Sequence, residues 1–376
     1  MNKTLIAMAV AGVMAAPMAA QADATVYGKI HVSIDSGDTG GFDSPVAPGS
    51  EANKASGLYW QSNSGRVGVK GSEDLGGGLK AVWQFESNAS FGSGSTSFGG
   101  RNSYLGLSGG WGTVVGGKHD TPFKSVGRWF DLFGDQVGDS RNVIQRIWGG
   151  LPVDAAGNSV ATNWDDRPNN IIVYTTPTFG GGFDVQVAYE LDDATKDNNS
   201  LSAYGKWKSG NWLVGLGYES QDNSSGTSAD GMRAGLQWSP GALKLNAFYQ
   251  TTSDNGGDSG ADFDAMGFGA AYTMGKNVLK AQYYMTDNSF DLESSDSATL
   301  AVGWDYKFSK RTTGYIAYAT TDNDDNAYAC VDAGGHGGEI CGQANASYDV
   351  ATDTFTGNVN GGNDPSVISV GMVHKF

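Results

Sequence analysis

Cysteine, histidine and long apolar runs are all scarce in this sequence: it has 2 Cys and 4 His in 376 residues. Neither Cys330 nor Cys341 has a second cysteine or a histidine at the spacing of a structural zinc site, which argues against a metal centre. The histidines, His31, His119, His336 and His374, are scattered along the chain. No G-x-S-x-G elbow or H-E-x-x-H helix occurs, and the glycine-rich stretches lack a following Lys-Ser/Thr. These absences predict a protein that is not an enzyme and uses no cofactor. A Ser/His pair assembled in space on a scaffold is the enzymatic alternative. Basic residues are in deficit, 24 Lys and Arg against 40 Asp and Glu, for a formal charge of −16. That balance excludes a general polyanion binder, so no nucleic acid is expected as a partner. The acids gather in the expected loops 254–264, 287–296 and 322–325. Solvated loops are the plain reading, and divalent-cation bridging to lipid headgroups is the sharper one.

The one apolar run of any length is at the start. Lys3 precedes a mostly apolar stretch from Leu5 to Ala20, broken by Pro17 and ending in Ala20-Gln21-Ala22 and Ala22-Asp23-Ala24. A membrane helix needs about 20 apolar residues. This shorter run with A-x-A sites reads as a signal peptide over 1–24, cleaved after Ala22 or Ala24. An exported chain with two nearby cysteines suits one loop disulfide between Cys330 and Cys341, with free thiols as the alternative.

What the chain has in quantity is glycine and aromatics: 57 Gly, 16 Tyr, 16 Phe and 10 Trp. They recur with a period of two. From Phe183 to Leu191 every odd residue is apolar, and Asp184, Gln186 and Glu190 lie between. Leu300, Val302, Trp304, Tyr306 and Phe308 share one face, opposite Ala301, Gly303, Asp305 and Lys307. Leu243, Leu245, Ala247 and Tyr249 alternate with Lys244, Asn246, Phe248 and Gln250. A soluble β-sandwich alternates in the same way. Three features favour apolar-outward strands in lipid: lengths near ten residues, aromatics at strand ends (Tyr59, Trp60, Trp111, Trp212, Trp238, Tyr318), and connections alternating between short Gly-rich turns and long polar loops. Counting predicts an all-β fold, a 16-stranded antiparallel transmembrane β-barrel over 25–376. The strands fall at 25–36, 58–73, 78–89, 101–109, 111–118, 168–178, 182–193, 200–209, 211–221, 230–239, 241–252, 262–274, 276–288, 297–308, 311–322 and 365–376. So wide a barrel holds water rather than side chains. Two segments lack alternation: 119–166, which carries Trp129, Phe130, Phe133, Ile147 and Trp148, and a long extracellular loop at 323–364. The aromatics of 119–166 need burial, so it is expected to fold back into the barrel as a constriction loop.

Several runs carry a family resemblance. They are Val26-Tyr27-Gly28-Lys29-Ile30, the stretch from Ser64 to Glu73, Gly100-Arg101-Asn102-Ser103-Tyr104-Leu105-Gly106-Leu107, Trp111-Gly112-Thr113-Val114, Gly117-Lys118 and Asp120-Thr121-Pro122. Arg167-Pro168-Asn169-Asn170, Val173-Tyr174, Phe179, Gly182-Phe183 and the terminal Phe376 complete the set. In this order behind a signal peptide, the mature chain resembles the general diffusion porins of Gram-negative outer membranes. The resemblance implies a homotrimer in the cell outer membrane, in contact with lipid and lipopolysaccharide. It further implies a water-filled channel for ions and small hydrophilic solutes, and a third extracellular loop tucked inward so that its acids face a basic wall. The matching basic positions are Lys29, Arg66, Arg101 and Arg167. Lys70 joins them because it shares the inward parity of Arg66 and Gly68, opposite lipid-facing Val67 and Val69. Asp120, Asp131, Asp135 and Asp139 are the loop's acidic side. Phe376 is assigned to recognition by the barrel-assembly machinery. The loop departs from enteric porins in lacking Pro-Glu-Phe-Gly-Gly, in being longer, and in carrying Lys124, Arg128, Arg141 and Arg146. A substrate-specific channel and a surface adhesin or receptor on a barrel scaffold are the competing functions.

Overall fold

The computed structural model describes residues 23–38, 40, 56–91, 99–144, 162–191, 199–222, 227–255, 262–289, 294, 296–324, 327, 329–331, 347–349, 354–356 and 364–376. Residues 1–22 of the signal peptide expected over 1–24 lie outside them, as do Cys341 and most of 323–364.

The wall consists of β1 (Asp23–Asp38), β2 (Ser56–Ser62), β3 (Arg66–Gly76), β4 (Leu79–Asn88), β5 (Ser103–Gly109), β6 (Gly112–Lys118), β7 (Ile171–Thr175), β8 (Phe183–Glu190) and β9 (Ser200–Ser209). It continues through β10 (Trp212–Asp222), β11 (Ser228–Trp238), β12 (Leu243–Ser253), β13 (Asp262–Met274), β14 (Asn277–Ser289), β15 (Ser297–Lys307) and β16 (Thr312–Asn323). A small separate hairpin, β17 (Ser347–Asp349) and β18 (Thr354–Thr356), precedes the last wall strand, β19 (Ser366–Lys375). All neighbours pair antiparallel, and β19 pairs with β1 from Lys29–Lys375 to Asp38–Ser366, which closes the sheet. Closure leaves no open strand edge, the condition for a sheet to span lipid. The sheet has 17 segments, but β1 pairs with β2 through 32–38 and with β3 through 23–29. These two are therefore one stave, interrupted at Asn63-Ser64-Gly65 where Ser64 turns to φ 51°. The closed barrel thus has 16 staves, and the interruption inside 58–73 shifts the register by one residue, so that Leu58 and Trp60 face out before it and Val67 after it.

Parity decides which way each side chain points. In β1, Lys29, His31, Ser33 and Asp35 are buried while Val26 and Ile34 are exposed. In β12, Asn246, Phe248, Gln250 and Thr252 are buried while Leu245 and Tyr249 are exposed. Among the described residues polar groups thus line the inside and apolar groups face out, the reverse of a soluble protein and the arrangement lipid requires. The short turns all lie at one end, where stacked pairs Trp212–Trp238 (5.8 Å) and Trp111–Tyr174 (6.3 Å) form part of an aromatic belt. The final residue seals the seam: Phe376 and Gly28 exchange backbone hydrogen bonds at 3.1 Å, and the Phe376 ring fills the space a Gly28 side chain would need.

Candidate functional site

After β6 the chain turns into the barrel. Thr121 caps α1 (Pro122–Phe130), accepting a hydrogen bond from the Lys124 N–H at 3.2 Å. Pro122 sits in the first turn, where its missing N–H costs nothing. Phe123, Val126 and Phe130 lie on one side of α1 and are fully buried against the inner face of β9–β12. A second turn, α2 (Arg141–Ile144), contacts β14 and β15. The described part of the 119–166 loop is therefore inside the barrel.

Glycine makes room for it. The wall positions facing the loop are Gly215 and Gly217 on β10, Gly231 and Gly235 on β11, Gly269 on β13 and Gly303 on β15. A β-carbon at Gly235 would clash with the Phe130 ring, and one at Gly231 would sit 2.7 Å from Trp164 and 2.9 Å from Phe123. Leu132 packs on Gly269 and Phe133 on Gly303 in the same way. Polar wall residues then hold the loop's backbone. Asn246 Nδ2 donates to the Phe130 carbonyl (2.8 Å), Gln250 Nε2 to Ile144 (3.0 Å), Gln282 Nε2 to Gly138 (2.7 Å), Lys280 Nζ to Leu132 (3.1 Å) and Arg233 Nη1 to Phe123 (3.1 Å). The Arg233 guanidinium also lies 4.1 Å over the Phe123 ring. None of these anchors was assigned to the site from sequence, although Asn246 and Gln250 were placed opposite the apolar face of their strand. Their signal is there in retrospect: polar and glycine residues at inward parity on consecutive strands, more than a merely wet wall needs.

The charged residues sort into three groups. Lys29 reaches Asp135 at 2.6 Å, and Asp135 also meets Arg128 (3.1 Å) and Arg141 (2.9 Å). Asp139, wholly buried, pairs with the same two arginines at 3.1 and 2.6 Å. Arg101 pairs with Glu86, which also accepts from the Tyr27 hydroxyl at 2.8 Å. It precedes β5 and so escapes that strand's parity, which would have turned it outward with Leu105. Arg66 stands in the field of Arg101, Glu86, Asp135 and Arg128 and makes no ion pair among the described residues. Apart from these, Asp120 binds Arg167 (2.7 Å) and Lys124 (3.1 Å) where the loop leaves and rejoins the wall. Asp131 turns to the opposite wall, accepting from Gln282 Nε2 at 3.0 Å and from the Phe133 N–H at 2.8 Å. Lys70 is exposed, its ammonium 5.2 Å from the Tyr27 ring centroid, and is not in contact with the loop. Cys330 is buried and disulfide-bonded.

Burial alone would raise all four loop carboxyls. For Asp135, Arg128, Lys29 and Arg141 outweigh it and hold the group well below the usual carboxylate range. Arg141 and Arg128 do the same for Asp139, as do Lys124 and Arg167 for Asp120. Asp131 is the exception, pushed up by burial and by Asp139 to about 7. A carboxyl whose folded value is raised favours the protonated folded state, so its contribution weakens as pH climbs from about 4 to 7. The depressed acids act oppositely, losing theirs below about pH 4. Loop protection from hydrogen exchange is therefore expected to decline from about pH 4 to about pH 7 in the wild type, and Asp131→Asn is expected to flatten that decline. An unchanged slope in Asp131→Asn would place its origin elsewhere.

With the geometry in hand, a family model described as Gram-negative porin matches residues 6–326. The chain belongs to this porin family. Porins of this family are outer-membrane proteins, and so is this one. It is 29% identical to outer membrane porin protein 32 of Delftia acidovorans over the full length of both chains. It is 40% identical to the major outer membrane protein P.IB of Neisseria gonorrhoeae over 131 residues, a match that spans only 34% of either protein. Among solved structures it resembles an anion-selective porin from Comamonas acidovorans, with TM-score 0.73, 22% identity, and coverage of 95% of this chain and 100% of that one.

Proposed function

We propose that the barrel is a water-filled pore through which ions and small hydrophilic solutes diffuse passively, and that the 119–166 loop sets its aperture. The observation that carries this is the loop's position, packed on inward glycines and hydrogen-bonded to inward polar side chains of a closed sheet. That arrangement spends many wall residues on holding a plug to one side of the lumen. The loop occupies the β9–β15 side, while Lys29, Arg66 and Arg101 stand on the β1–β5 side. Lys29 and Arg101 are paired with Asp135 and Glu86, and Arg128 and Arg141, within the loop, draw on the same Asp135 and on Asp139, so no free acid is left among the described residues to pair with Arg66. The remaining field is positive at Arg66, which favours anions despite the net acidity of the chain. The name of the Comamonas structure agrees with this reading, at a likeness that supports the fold alone. Exposed Val26, Leu58, Trp60 and Leu105 on β1, β2 and β5 give the implied homotrimer an apolar face to use. Lipid, lipopolysaccharide and assembly-machinery contacts follow from a barrel of this class.

The test is the reversal potential of single channels in a salt gradient. Wild type is expected to favour anions, and Arg66→Gln to shift the potential clearly toward cations. A cation-selective wild type would overturn the charge assignment. A reading as a substrate-specific channel would require conductance that saturates with one solute class.

A further inference from the structure

We propose that Asn323, Ala329, Cys330 and Val331 form a second aperture-setting element, a strap that enters the lumen from the extracellular side and holds the tip of the 119–166 loop. This deepens the pore reading above and rests on it for the effect on the aperture.

The chain reverses where β16 ends. The Ala327 N–H donates to the Asp324 carbonyl at 2.8 Å, and Asn323 receives the returning chain. Its Nδ2 donates to the Ala329 carbonyl at 3.0 Å, and its Oδ1 accepts from the Ala329 N–H at 2.9 Å. The same Oδ1 accepts from the Ser297 hydroxyl of β15 at 2.7 Å. Two residues deeper on β16, the Thr321 hydroxyl donates to the Cys330 carbonyl at 3.5 Å. The strap therefore runs back down the inner face of β16, with Ala329 level with Asn323 and Cys330 level with Thr321. Asn323, Thr321, Ala319 and Ala317 share the inward parity of that strand and are buried. A backbone inside a barrel must find its hydrogen bonds on the wall. One asparagine supplies both for Ala329.

Apolar burial ties the strap to the constriction loop. Ala329, Cys330 and Val331 are 4%, 3% and 0% exposed. Val331 belongs to the cluster that joins Phe133 and Val137 of the loop to Ala301 and Ala319 of the wall. There the loop backbone lies against the wall: a β-carbon at Gly138 would sit 2.4 Å from the Ala301 methyl and 3.2 Å from that of Ala319. Ala329 belongs to a second cluster, with Val143 and Ile144 of α2 and Tyr284 of β14. The strap thus shares apolar clusters with the loop on both sides of Asp139, and burial of these groups holds the two together. Val367 of β19 lies in the same cluster as Val331, so the filled part of the lumen extends past β15 to β16 and β19. Cys330 adds a covalent latch. It is disulfide-bonded, and Cys341 is the chain's one other cysteine. A cross-link at this point limits how far the strap can leave the lumen.

Two variants release the strap: Asn323→Ala removes both bonds to Ala329, and Cys330→Ser/Cys341→Ser removes the latch. Asp322→Ala, exposed on the other face of β16, is the control. Each is read as a folded barrel by tryptic cleavage at Arg141, and by single-channel conductance with sugar-size exclusion. Cleavage at Arg141 is expected to rise about tenfold in Asn323→Ala, the effect of losing two hydrogen bonds on a local opening. Conductance and sugar cut-off are expected to rise with it, and further when the three substitutions are combined. Asp322→Ala is expected to match the wild type in every readout. Wild-type cleavage and conductance in a folded Asn323→Ala/Cys330→Ser/Cys341→Ser barrel would overturn the proposal. Cleavage that rises while conductance and cut-off stay unchanged would also overturn it, because the strap would then steady the loop without bearing on the aperture. A wild-type barrel that does not conduct would instead sink the pore reading, and cleavage at Arg141 would still decide whether the strap holds the loop.

Discussion

Asp139→Ala is expected to release the inner loop, at a cost of about 3–5 kcal/mol, the range for removing one partner of a buried ion pair. Asp139 is fully buried and accepts five hydrogen bonds: from the Asp135 N–H at 2.6 Å, the Arg141 N–H and Nε at 2.9 Å each, Arg141 Nη2 at 2.6 Å and Arg128 Nη1 at 3.1 Å. It therefore fixes the turn between Asp135 and Arg141 as well as neutralising two arginines. Without it, Arg128 and Arg141 share Asp135, which Lys29 also holds. The loop tip would exchange this buried charge for water, and the lumen offers the water. Trypsin should then cut intact barrels at Arg128 and Arg141, sites shielded in the wild type. Asp131→Ala provides the contrast. It removes a carboxyl that burial disfavours and that no cation binds directly, so the loop should stay protected. Equal protection in both variants would show that the charge network does not hold the loop.

Gly235→Val is expected to have an effect of similar size by a purely steric route. The backbone at Gly235 is ordinary strand, which valine favours, so any loss comes from the Phe130 ring lying where the new β-carbon must go. Overpacking of this sort costs about 1–3 kcal/mol when neighbours can give. Here Phe130 is pinned by its carbonyl to Asn246 and by α1 as a whole. The expected result is a displaced helix, seen as larger and noisier single-channel steps. Gly205→Val, on adjacent wall where a β-carbon meets nothing within 4 Å, serves as the control and should leave conductance unchanged. Identical steps for Gly235→Val and Gly205→Val would mean that α1 does not bear on the aperture.

The barrel was legible because its rule is local. Alternation repeats in every strand, and short turns alternate with long loops, so counting reaches 16 without knowledge of any contact. The break at Ser64 inserts one residue and inverts the parity, from outward Leu58 and Trp60 to outward Val67, but it leaves the number of staves unchanged and so escaped the count. The loop's interior location could be inferred from its aromatics, but its partners could not. Which acid meets which cation depends on how α1 lies along β9–β12, and no period in the sequence encodes that. So Asp135 found Lys29, whereas Asp120 stayed with Arg167 at the loop's root and Asp131 crossed to Gln282. Lys70 shows the limit of parity: it points inward with Arg66, yet it pairs with Thr25 near the strand end, four residues below the level of the cluster. The loop's own arginines were noted as a departure from enteric porins, and they are what converts the expected facing acids into internal salt bridges.

The proposed role of this loop, held inside the barrel, is to set the size of the pore. It is tested most directly by single-channel conductance and sugar-size exclusion for the wild type and for a chain lacking residues 124–141, both confirmed as folded barrels. Deletion is expected to raise the conductance and to let larger sugars pass. Unchanged conductance and cut-off in a folded deletion variant would contradict it.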